Sequence, residues 1–145
     1  MSRAVVKYES AVICEYVRYE WDGKLVLIGV FTGDIGIQSV PQKLSLFVYA
    51  DGQVLEGGVH SSTIKVVDTT GGVLYTNPVP SAPINFIIAR FAQVFNIEFV
   101  VQRQDTISII VNDGQHDHIL MTREVKIMSL PPSPPWGILA PTGKV

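Results

Sequence analysis

The chain has little with which to build covalent or catalytic chemistry. One cysteine, Cys14, stands alone among 145 residues, so no disulfide can form within the chain. Charge is sparse: charged residues make up 17%, against a usual share of about 25%. A formal net charge of −2 leaves no basic stripe of the kind that nucleic acid or an anionic membrane surface requires. Neither partner is expected. The longest wholly apolar run is Leu25–Phe31, far short of the ~20 residues a membrane helix needs. The opening MSRAVVKYESAVICEYVRYEW carries charges throughout, unlike the apolar segment of a secretory signal, and a reducing cytoplasm is the expected compartment. No repeat of fixed period and no heptad pattern is present. Gly29, Gly33 and Gly36 lack the Gly-Lys-Ser/Thr ending of a phosphate loop.

What is abundant is apolar and β-forming. Hydrophobic residues reach 47% and the mean hydropathy is +0.29. A chain of this size, enough for one domain, either builds a large core or covers part of its surface with another subunit, so self-association as a dimer or higher is expected. Valine, isoleucine, phenylalanine, tyrosine and threonine suit a pleated, half-buried surface. Three Asp-Gly pairs, at 22–23, 51–52 and 113–114, lie between apolar segments. Asp-Gly favours two-residue hairpins because such a turn needs positive φ at its centre. The first pair predicts Tyr19 opposite Val26 and Cys14 opposite Phe31. The second predicts strands 43–50 and 53–60. The third places His116 opposite Val111 and His118 opposite Ile109.

Further strands are predicted at 62–68, 73–75, 85–102, 106–112 and 116–128. Residues 83–92 also fit a helical stripe, but the alternation Phe91, Gln93, Phe95, Ile97, Phe99, Val101, with one polar exception, favours strand. Many short strands and hairpin turns imply an all-β fold, an antiparallel β-sandwich of the Ig-like or C2-like kind, over residues 1–128. Residues 129–145 form an extended Pro-rich tail. There Pro131, Pro132, Pro134 and Pro135 exclude a strand ladder, and Trp136, Ile138 and Leu139 offer a compact apolar anchor for an interaction.

Candidate chemistry is thin. His116 and His118, two apart on a strand, share a face and could bind a metal with His60 as third ligand; decoration of a turn is the simpler reading. Cys14, in a strand, fits a buried inert thiol better than a nucleophile. Asp34, Asp51, Asp68, Asp113 and Asp117 fall near predicted loops, as in calcium-dependent modules that touch membranes, yet they are mostly single and separated. No cofactor is expected.

The stretch ICEYVRYEWDGKLVLIGVF, Ile13–Phe31, resembles the opening of a group of small bacterial β-sandwich proteins of unknown function. The matching positions are Cys14, Glu15, Val17, Arg18, Gly23, Lys24, Leu25, Leu27, Ile28 and Gly29. The resemblance covers residues 10–128. It implies the sandwich fold and brings no catalytic motif. The expected function is a non-enzymatic interaction or assembly module, with a metal- or small-ligand site near His116 and His118, or a calcium-dependent membrane-surface module, as alternatives.

Overall fold

Alternating apolar residues with a period of two set the architecture. The computed structural model describes residues 2–84 and 90–128, where regular structure is strand throughout. The strands are β1 (Val5–Tyr19), β2 (Leu25–Phe31), β3 (Ile35–Ile37), β4 (Gln42–Glu56), β5 (Gly58–Val67), β6 (Val73–Ile84), β7 (Arg90–Val101), β8 (Asp105–Asn112) and β9 (Asp117–Ile127). They form two sheets, a four-stranded one in the order β2-β1-β4-β7 and a five-stranded one in the order β3-β9-β8-β5-β6. One core lies between them. Leu44, Leu46, Val48 and Ala50 of β4 and Phe95, Ile97, Phe99 and Val101 of β7 meet Ile64 and Val66 of β5 and Ile107, Ile109 and Val111 of β8. The protein is thus a β-sandwich. Among the described residues it departs from antiparallel pairing at β3, which runs parallel to β9, and at a single parallel bridge between Arg3 and Val59.

The first Asp-Gly pair does form a turn, but with a different register from the one predicted. Gly23 donates to the carbonyl of Glu20 at 3.0 Å, and Glu20 donates to that of Lys24 at 2.8 Å. The loop therefore holds three residues, ending on Gly23 at φ +87°. The extra residue slips the ladder by one, so Tyr19 pairs with Leu25 and Cys14 with Val30. A one-residue slip moves every side chain of β2 to the other face. A Cβ at Gly23 would meet nothing within 4 Å, so Gly23→Val carries a purely conformational penalty. We expect a loss of about 1–2 kcal/mol, read from the denaturant midpoint.

The second pair makes no turn. β4 runs through Asp51 and Gly52 to Glu56, and the reversal falls at Gly57. Gly52 sits between Tyr8 of β1 and Phe91 of β7, in an unbroken ladder with β7 and beside a register shift in the ladder with β1. Two neighbouring strands overrode the local turn preference. The register of β1 shifts between Tyr8 and Ser10, leaving Glu9 as an extra residue. That bulge changes the phase of the strand: Tyr8 packs on the core before it, and Ala11 and Ile13 pack there after it.

β6 is longer than the predicted 73–75 and keeps its prolines, including Pro78 and Pro83, on the outer strand of its sheet, where proline is tolerated. Within the ambiguous span 83–92, Pro83 and Ile84 end β6 and Arg90–Ala92 begin β7 as strand. Residues 85–89 and the tail, with its expected anchor Trp136, Ile138 and Leu139, lie outside the described residues.

Candidate functional site

Two features stand out from the sandwich: a polar cluster between the sheets at one end, and an apolar outer surface on the four-stranded sheet. The cluster starts from Tyr8, turned inward by the Glu9 bulge. Tyr8, Gly52 and Phe91 lie abreast. With no side chain at Gly52, the rings of Tyr8 and Phe91 meet edge to face at 5.2 Å. The Tyr8 hydroxyl donates to Gln93 Oε1 at 2.5 Å and lies 3.2 Å from His60 Nε2. Its single proton being spent on Gln93, the phenol oxygen accepts from His60 Nε2–H, so that ring nitrogen carries a proton. His118 packs its ring on Tyr8 at 5.2 Å and bonds Asp113 Oδ2 at 2.9 Å.

The sequence predicted a different histidine pair. The connection after β8 holds four residues, Asp113–His116, so Val111 pairs with His118 and Asn112 with Asp117. His116 stays exposed in the turn, where its backbone N–H and that of Gln115 donate to Asp113 Oδ1. The structure thus brings His60 and His118 around Tyr8 and leaves His116 outside. Among the described residues, no three His, Cys, Asp or Glu side chains gather as metal ligands would. The aspartates are dispersed: Asp34 on Lys126, Asp68 on Thr70 and Gly72, Asp117 on Asn112, and Asp51 within β4. Cys14 is fully buried and burial raises its pKa, as befits an inert thiol.

Burial governs the electrostatics of the cluster. It raises the Tyr8 phenol, with the Asp113 charge adding to the rise, and it lowers the His60 imidazole below its ordinary 6.5. Burial would lift Asp113, but hydrogen bonds from His118, His116 and Gln115 outweigh it and hold the carboxyl well below the usual range. The polar groups of the cluster are turned on one another. It joins β1 and β7 of one sheet to β5 and β9 of the other as a polar seam.

The seam predicts acid lability. Because the folded pKa of His60 is lowered, the unfolded chain takes up the proton first; the stability from His60 is complete above about pH 6.5 and is lost as pH falls below it. Asp113, also depressed, extends the loss below about pH 4. Thermal unfolding of the wild type should show a falling Tm from about pH 7 to about pH 5. His60→Phe should flatten that part of the curve. A wild-type Tm that is level over the window would contradict the assignment.

The outer face is of another kind. Tyr16 pairs with Ile28 and Cys14 with Val30, and directly opposed residues share a face. Tyr16, Ile28 and Val30 are 52%, 42% and 46% exposed. The Tyr16 ring meets Phe47 of β4 edge to face at 5.7 Å, widening the strip. At the tip of the hairpin Trp21 is almost wholly exposed. The strip ends at β2, which has no neighbour on its far side among the described residues. Leu25–Phe31 contains neither a charge nor a proline.

At the opposite end of β8, a cleft of about 210 Å³ has Leu74, Val101, Ile107 and Val125 as its apolar walls. Its polar rim is closed on itself: Arg103 bridges Asp68 and Asp105 at 3.7 and 3.0 Å, and Thr69 donates to Asp105 at 2.7 Å.

No family model matches the chain, and no curated protein matches it. Among solved structures, a β-glucosidase from Erythrobacter marinus is similar over 85% of this chain, at 9% identity and a TM-score of 0.42. The chain spans 16% of that enzyme's length, and a likeness of this size carries no functional argument. No helix among the described residues is long and apolar enough to cross a membrane.

Proposed function

We propose that the protein is a non-enzymatic interaction module of a bacterial cytoplasm, working through the outer face and open edge of its four-stranded sheet. One observation carries the reading: β2, an edge strand of seven residues without charge or proline, continues an exposed apolar strip of Tyr16, Ile28 and Val30. Edge strands present unpaired backbone N–H and C=O groups, and soluble proteins ordinarily blunt them with charge, proline or shortness. A bare edge beside exposed apolar side chains suits strand addition, where main-chain hydrogen bonds give affinity and side chains give selectivity. The polar seam offers no comparable case, since its groups bond one another. The resemblance of Ile13–Phe31 to small bacterial sandwich proteins fits this reading.

Gel filtration of the native protein in extracts of its own cells tests it. The protein should elute well above its 15.9 kDa, and a Val26→Lys variant should elute near its own mass. Elution of the wild type at its own mass would remove the ground for the proposal.

A further inference from the structure

We infer that the partner of the β2 edge is a second copy of this chain, joined in an antiparallel pair that turns two four-stranded sheets into one of eight strands. This rests on the reading of the protein as an interaction module and adds the identity of the partner.

Four strands bound the two sheets, and three of them are blunted. β3 is three residues long, β6 carries prolines including Pro78 and Pro83, and β7 carries Arg90 and Glu98. Only β2 is bare. Its composition also selects the occupant. In a twofold antiparallel pair each strand meets its own sequence reversed, so a charged strand commonly sets like charges close together, at a cost. Leu25–Phe31 has no charge to repel its copy. The hydrogen bond from Glu20 to the Lys24 carbonyl marks a bonded pair. Alternation from that pair turns the backbone groups of Leu25 and Leu27 away from β1. Gly29, at φ +69°, interrupts regular backbone beyond Ile28. The outward groups in the regular stretch are thus those of Leu25 and Leu27, and they are satisfied together in one register. In it Leu25 faces Leu27 of the partner subunit and Val26 faces its own counterpart on the twofold axis. Val26 and Ile28 from both copies then extend the Tyr16 strip across the joint.

That register makes a sharp test. Val26 on the axis is a non-bonded pair with Cα atoms about 4.5 Å apart, within the disulfide range of about 4.4–6.8 Å. The full chain carrying Val26→Cys should cross-link to a covalent dimer under oxidised glutathione. Ser45→Cys, exposed on the same face two strands away, should not; Cys14 is buried and does not compete. Without oxidant, light scattering on the purified wild type should approach twice 15.9 kDa as concentration rises, while Val26→Lys stays at one chain with an unchanged circular dichroism spectrum. Trp136→Ala should leave the dimer intact. A wild type that stays at one chain to near-millimolar concentration overturns the self-pairing. If the same protein nonetheless runs in a larger, Val26-dependent species in cell extract, a different partner holds the edge and the interaction reading stands. A dimer insensitive to Val26→Lys, or one lost in Trp136→Ala, places the contact elsewhere and overturns the proposal.

Discussion

Gly52→Ala should destabilise the protein by about 3 kcal/mol, more than any surface change in the sheet. The position gives the smallest possible side chain nowhere to go. A Cβ at Gly52 would overlap the carbonyl oxygen of Lys7 and stand 2.8 Å from its carbon and 2.9 Å from Tyr8 Cα. These are backbone atoms of the neighbouring strand, held by ladders on either side of the Glu9 bulge, so they cannot swing aside as a flexible side chain would. The change would also intrude between Tyr8 and Phe91, whose rings meet because nothing separates them. Urea denaturation of the variant measures the loss. A cost below about 1 kcal/mol would mean that β1 does not approach β4 this closely.

Tyr8→Ala should cost as much or more, about 3–5 kcal/mol. The ring packs on Phe91 and His118 at 5.2 Å each and on His60 at 6.5 Å, so its removal opens a cavity where the sheets meet. Its hydroxyl serves both Gln93 and His60. Tyr8→Phe separates the two contributions: it keeps the ring and strands two polar groups, for about 1–3 kcal/mol. Equal losses in the two variants would assign the whole effect to the hydrogen bonds, and a negligible loss in Tyr8→Phe would show that Gln93 and His60 find water instead.

How much of this could be read from the chain differs from element to element. The core faces of β4 and β7 were plain, because Leu44, Leu46, Val48 and Ala50, and Phe95, Ile97, Phe99 and Val101, alternate without fault and are buried as a set. Asp-Gly located two true turns, at Gly23 and Gly114, both at positive φ. It did not set their lengths. At the first, Trp21 joins Asp22 and Gly23 as a third loop residue; at the second, the Asp113 side chain caps Gln115 and His116 and holds a four-residue loop. These extra residues displaced the predicted partners of Tyr19 and His118.

At Gly52 the same dipeptide served another purpose, close approach of a neighbouring backbone, which no local pattern distinguishes from a turn. The seam was the least legible. Tyr8, His60, Gln93 and His118 come from four strands, and only the pairing of those strands assembles them. One trace was visible: Gln93 is the polar exception in an otherwise apolar alternation, and it is the residue that accepts the Tyr8 hydroxyl. The edge position of β2 was not legible in the uncharged run Leu25–Phe31. Being apolar on both faces, that run predicts a central strand, with the half-polar β1 nearer an edge; the sheet order reverses the two.

Amide hydrogen exchange at Leu25 and Leu27, followed against protein concentration, bears most directly on the claim that β2 is a working edge. Both N–H groups point away from β1 and have no partner among the described residues. The account predicts that they exchange freely in dilute protein and in Val26→Lys, and become protected together as wild-type protein associates, while the amides of Val26 and Ile28, bonded to β1, change little. Equal exchange at Leu25 and Leu27 under all these conditions, in protein that demonstrably associates, would show that the edge of β2 plays no part in assembly.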